Sequence, residues 1–162
     1  MPVAPTLFVR ENAQYAPAGT DQVLQAAQEI VDARMVRGTS FKDPAVACDF
    51  FRDKLGHRER EVFAAVMLDS RHRLIEFVEL FMGTIDGAEV HPREIARQAL
   101  RLNAAALIVA HNHPSGEVEP SMADRVMTVR LKQALALVDI RLLDHVVVGG
   151  RRSLSMAAKG WC

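Results

Sequence analysis

Cysteine is scarce in this chain: among 162 residues only Cys48 and Cys162 occur, and neither stands in a metal-ligand spacing with another cysteine. A disulfide-stapled scaffold is excluded, and the pattern suits a reducing compartment. Net charge is lacking too, because 20 basic residues balance 20 acidic ones. The molecule as a whole therefore exerts no strong field on nucleic acid or on an anionic membrane, and any polyanion site has to be local. No window approaches the roughly 18 apolar residues of a membrane span. The opening MPVAPTLFVRENAQY lacks the basic and apolar regions of a secretory leader. The expected location is the cytoplasm. Internal repeats and low-complexity tracts are also missing.

What is present is the composition of a folded protein, 49% hydrophobic and 25% charged, at a length that buries a sizeable core without staples. Residues 1–19 carry three prolines and a Tyr15-Ala16-Pro17-Ala18-Gly19 stretch, which predicts an extended arm ending in a turn. After Thr20 or Asp21 as a cap, Val23, Leu24, Ala27, Ile30, Val31 and Met35 recur at helical spacing until Gly38. Asp43-Pro44 predicts a second helix closing at Gly56, with Ala47, Phe50, Phe51 and Leu55 on its apolar face. The runs EVFAAVMLD and LIEFVELF around Asp69-Ser70-Arg71-His72 read as a hairpin. A helix over 92–102, a buried strand over 104–110, a helix from about Ser121 to Val138 and strands over 140–148 and 153–156 complete the pattern. The helix from Ser121 is expected to bury Val126, Val129, Leu131, Ala134, Leu135 and Val138. Strands alternating with helices indicate one α/β domain preceded by helical segments.

The strand over 104–110 delivers the chain into His111-Asn112-His113. Side chains two apart on an extended chain point the same way, so both imidazoles can face one ion. Eleven residues beyond His113, Asp124 lies in the first turn of the helix opening at Ser121. The Pro114-Ser115-Gly116 turn lets the chain fold back and bring that carboxylate toward the histidines. Two nitrogens and one oxygen form the ligand count of a zinc site with its fourth position left for water.

The spacing His111-x-His113, seven residues, Ser121, two residues, Asp124 resembles, residue for residue, the signature of the JAMM (MPN+) metallopeptidases. The segments HNHPSG, PSMAD, ELFMGTID, HPREIARQAL and LNAAALIVAHNHPSG are similar to the RadC branch of that family, and the likeness runs from about residue 45 to 160. It implies a JAB/MPN, cytidine-deaminase-like, three-layer fold: a mixed β-sheet flanked by helices, here with a helical N-terminal extension. The expected division is an arm and amphipathic helix over 1–42 and the RadC-like domain over 43–162. The resemblance further implies one zinc ion per chain held by His111, His113 and Asp124, with Ser121 hydrogen-bonding the oxyanion of a tetrahedral intermediate. Glu61 of EVFAAVMLD matches the family's upstream glutamate and takes the role of general acid/base. The implied activity is hydrolysis of a peptide or isopeptide bond, with a peptide or protein as substrate.

Each of these residues has a blander reading. Ser121-x-x-Asp124 after a proline is also an ordinary capping box. Glu61 follows Arg58, Glu59 and Arg60, as in a solvated charged turn, and Glu76, Glu79 and Glu94 rival it as the base. Asp144-His145 opens an apolar strand. Support of a ligand histidine is conceivable there, but satisfied polar residues at a strand end are the commoner case. Met122, Met127 and Met156 read as core filler, and Arg58/Arg60 and Arg151/Arg152 as solvated faces. Among other functions, a DNA-repair or nucleic-acid role of the RadC type draws no support from the charge balance. Zinc-dependent deamination requires H-x-E followed by P-C-x-x-C, and with only Cys48 and Cys162 present the second half of that signature does not occur. A metal-free MPN interaction module lacks ligands that stand intact here.

Overall fold

The computed structural model describes residues 6–11, 13–34, 37–83 and 89–162. The chain forms two compact units, one through residue 35 and the other from residue 36 onward. In the first, β1 (Phe8–Glu11) pairs antiparallel with β2 (Gln14–Pro17), and α1 (Thr20–Arg34) follows. Where an extended arm ending in a turn was expected, the described residues form a two-stranded hairpin. Ala13 adopts φ 66 at its turn, and Pro17 sits at the outer end of β2, where a missing N–H costs no ladder bond. Met35, expected on the apolar face of the helix, lies outside the described residues.

The second unit is built on five strands in the order β4-β3-β5-β6-β7. These are β3 (Val62–Leu68), β4 (Leu74–Met82), β5 (Ala106–Asn112), β6 (Arg141–Gly149) and β7 (Arg152–Ser155). Only the β5–β6 pair is parallel, and its crossover carries a helix, as parallel neighbours require. Every residue of β3 and β5 is buried, the pattern of strands covered on both faces. One cover is α2 (Pro44–Leu55), capped by the Asp43 side chain, which accepts from the Ala45 amide. Its Ala47, Phe50, Phe51 and Leu55 are buried as the sequence predicts. The other cover comprises α3 (Pro92–Arg101) and α4 (Met122–Ala136). There Phe63, Ala65 and Met67 of β3 and Leu107 and Val109 of β5 meet Ile95, Ala99, Leu131 and Leu135 in one apolar cluster.

The sheet is therefore mixed and flanked by helices on both faces, the architecture the sequence implied. The face of α4 is the point of difference. Leu131 and Leu135 are buried, but so is Thr128, while Val126 and Val129 are 61% and 52% exposed and Met122 is also exposed. Apolar residues stand on more than one side of this helix, so periodicity alone did not single out the sheet-facing stripe 124, 128, 131 and 135. No described helix is long and apolar enough to cross a membrane.

Candidate metal centre

The site forms where the C-terminal end of β5 meets the first turn of α4. His111 pairs across the ladder with Phe63, so its ring lies on the α3/α4 face of the sheet, and it is buried. His113 follows two residues later, just past the strand, with its backbone N–H donating to the Val148 carbonyl at 2.8 Å. Asp124 comes back from α4. The capping box is fully formed: Ser121 Oγ accepts from the Asp124 amide at 3.1 Å, and Asp124 Oδ2 accepts from Ser121 N and from Ser121 Oγ, each at 2.7 Å.

Three ligand atoms converge. The two Nε2 atoms of His111 and His113 are 2.9 Å apart. His111 Nε2 is 3.4 Å from Asp124 Oδ1, and His113 Nε2 is 3.7 Å from Asp124 Oδ2. Ligands about 2.0–2.2 Å from a tetrahedral zinc are separated from one another by roughly 3.3–3.6 Å; the His111–Asp124 separation lies in that range, the imidazole pair is closer and the His113–Asp124 separation slightly longer. His113 Nδ1 lies 2.9 Å from the Glu117 carbonyl. A carbonyl only accepts, so that nitrogen carries the hydrogen and Nε2 of the neutral ring holds a lone pair. Two imidazole nitrogens and a carboxylate facing one another form a donor set that fits a borderline-soft divalent cation such as zinc.

Pairing with Asp124 raises the His113 pKa above its ordinary value against the opposing effect of burial; the Glu117 carbonyl and the charges of Asp124 and Glu61 add to the rise. Partial burial pushes the Asp124 carboxyl up, but the hydrogen bonds and charge of His111, with those of His113 and Ser121, outweigh it and hold the group far below the ordinary carboxylate range.

Glu61 precedes β3, is half-buried, and its charge reaches His113. Its position is set by Asn112, which sequence reasoning passed over. The buried Asn112 carboxamide accepts from Val62 N at 2.8 Å and donates to the carbonyls of Arg60 at 3.0 Å and Arg58 at 3.3 Å. The rival carboxylates lie elsewhere. Glu79 pairs with Ala64, on the face opposite His111, and forms an ion pair with Arg58, so Arg58 is not the free solvated charge expected. Glu76 pairs with Met67, near the far end of β3, and Glu94 bonds to Arg97 on α3.

His145, read above with Asp144 as a satisfied polar residue at a strand end in preference to a support for a site histidine, contacts His111. It sits inside β6 rather than at its start, is completely buried, and places Nε2 2.8 Å from His111 Nδ1. Its Nδ1 is 2.6 Å from Thr128 Oγ1. Burial, reinforced by the charge of His111, drives its pKa well below the ordinary histidine value. A histidine within an apolar strand was the available signal. Asp144, beside it, accepts from the backbone N–H groups of His145 and Ala157 and from the Ser155 hydroxyl.

Fold and site define an α/β domain with a His-x-His and carboxylate cluster, of the kind that could hold a metal ion, at a strand-to-helix junction. Residues 41–161 match the model of the RadC-like JAB domain, and the chain belongs to that family. It is 56% identical over 140 residues to a UPF0758 protein of Vibrio cholerae, covering 86% of this chain and 88% of the relative. A second V. cholerae UPF0758 protein is 52% identical over 141 residues, with 87% and 89% covered. One from Xanthomonas campestris is 56% identical over 142 residues, covering 85% of this chain. The matched region there spans 63% of that longer relative. These names state no activity.

Proposed function

We propose that this chain is a zinc-dependent hydrolase that cleaves an amide bond, peptide or isopeptide, in a peptide or protein substrate. The observation that supports the reading is the convergence of two imidazole nitrogens and one carboxylate at separations of 2.9 to 3.7 Å. His111, His113 and Asp124 would hold the ion. When bound, zinc supplies Lewis acidity, making a water nucleophilic near neutral pH and polarising the scissile carbonyl.

The remaining work falls to the chain. Glu61 accepts the proton of the attacking water and delivers it to the leaving nitrogen, so the carboxylate is restored after one turnover. Ser121 has one hydroxyl proton, directed at Asp124 Oδ2. Turning it toward substrate lets it donate to the developing oxyanion, while its backbone N–H keeps hold of Asp124.

The test combines metal analysis with turnover of fluorogenic peptides and lysine isopeptides. The chain is expected to carry about one zinc, His113→Ala to lose it, and Glu61→Gln to retain it while activity drops roughly 10²- to 10⁴-fold. A chain that binds no metal from excess zinc overturns the proposal, and a fully active Glu61→Gln variant overturns the mechanism.

A further inference from the structure

The geometry points to His145 and Thr128 as positioning residues that select the tautomer of His111 and tie it to the helix turn carrying Asp124. The inference rests on the metal-site reading above and goes beyond it, because neither residue touches the proposed ion.

The protons can be followed from one end. Thr128 Oγ1 is 2.7 Å from the Asp124 carbonyl oxygen, an atom that only accepts, so the single hydroxyl hydrogen lies on that bond. Met156 Sδ, 3.8 Å away, is the weaker acceptor. With its hydrogen committed, Thr128 Oγ1 meets His145 Nδ1 at 2.6 Å as an acceptor, and His145 carries its hydrogen on Nδ1. His145 Nε2 then has only a lone pair to offer, and His111 Nδ1, 2.8 Å away, is the donor. His111 is left with Nε2 unprotonated, facing His113 and Asp124. A backbone carbonyl on α4 thus decides, through three hydrogen bonds, which nitrogen of a β5 histidine is free to bind a cation.

The surroundings leave the relay little alternative. Thr128 and His145 are wholly buried and His111 nearly so, so water does not compete for these bonds. Phe63 lies parallel to the His111 ring, with centroids 6.4 Å apart, and edge-on to that of His145 at 5.7 Å. The loop also closes on the site, since Asp124 supplies one proposed ligand from its side chain and the anchor of the relay from its backbone. An outer partner of this kind both sets the ring's orientation and raises its basicity toward the metal.

The test reads the tautomer in metal-free protein and zinc affinity separately. Long-range ¹H–¹⁵N spectra of the metal-free chain are expected to show His111 as the Nδ1–H form in wild type and Thr128→Ser. Thr128→Val and His145→Leu should show mixed or Nε2–H forms. By chelator competition at fixed pH, Thr128→Val should bind zinc about 10- to 100-fold more weakly, with Thr128→Ser restoring affinity. A merely structural role would lower the melting temperature of Thr128→Val without changing either readout, and that result overturns the inference. A wild-type chain showing the Nδ1–H form but holding no zinc sinks the hydrolase reading and leaves the relay standing.

Discussion

Asn112 Oδ1 accepts the Val62 backbone N–H at 2.8 Å, while its Nδ2 donates to the Arg60 carbonyl at 3.0 Å, so one buried carboxamide grips the chain on either side of Glu61. The residue standing between the two site histidines therefore locates the proposed base. Asn112→Ala leaves the buried Val62 amide and the part-buried Arg58 and Arg60 carbonyls without this partner, a loss of about 1–3 kcal/mol. The expected phenotype is a lower urea midpoint with zinc still bound and a reduced kcat. Loss of zinc in step with stability would show that Asn112 supports the ligands instead.

Gly149, at the end of β6, leaves no room for a side chain. A methyl group there would press into the carbonyl oxygens of Gly116 and Glu117, and Glu117 is the carbonyl to which His113 Nδ1 donates. Gly116 itself has φ 85, a conformation that favours glycine, so the loop has little freedom to yield. Gly149→Ala is expected to destabilise the chain by roughly 1–3 kcal/mol and to weaken zinc binding by disturbing His113. A crystal structure of the variant with the 113–117 loop unmoved would contradict this.

The two perturbed histidines give opposite pH limbs in metal-free protein. Burial holds the folded pKa of His145 well below the ordinary histidine value of about 6.5. The unfolded chain takes up that proton first, so its contribution is complete above about pH 6.5 and is lost as the pH falls below it. His113 has a raised folded pKa. Its contribution is complete below about pH 6.5 and is lost as the pH rises through the folded value. Each limb has a slope of at most about 1.4 kcal/mol per pH unit. Denaturant titrations of chelated protein should show both; His145→Gln should flatten only the acid limb, and His113→Gln only the alkaline one.

On α4, Leu135 and Val129 separate what periodicity predicts from what packing does. Leu135 is buried in the apolar cluster, and Val129 is about half exposed. Leu135→Ala is expected to cost about 2–5 kcal/mol and Val129→Ala less than about 0.5 kcal/mol, read from chemical denaturation. Equal losses would mean that the helix faces the sheet differently.

Much of the second unit was legible in the sequence. Asp43-Pro44 marked the start of α2, the alternating and continuous apolar runs marked β3, β4 and β5, and each boundary fell within a few residues. The hairpin over 8–17 was not legible, because its strands are short and exposed and prolines dominate the local signal. Nor was the sheet-facing side of α4, where the stripe contains the partly buried Asp124 and the buried Thr128, polar residues that bond to histidines of the sheet.

By itself the sequence determined the candidate ligands and the serine beside them, since His111, His113, Ser121 and Asp124 lie within residues 111–124. A strand end, a turn and a helix cap bring them together through local backbone geometry. Only the tertiary structure decided what holds that set in place. Thr128 and His145 are 17 residues apart, His111 and His145 are 34 apart, and Asn112 and Val62 are 50 apart. Their contacts depend on the parallel register of β5 with β6, in which Val109 pairs with His145 and His111 with Val147. That register places the two imidazoles on one face, side by side, and hydrophobic burial of both strands sets it rather than any local signal in the chain.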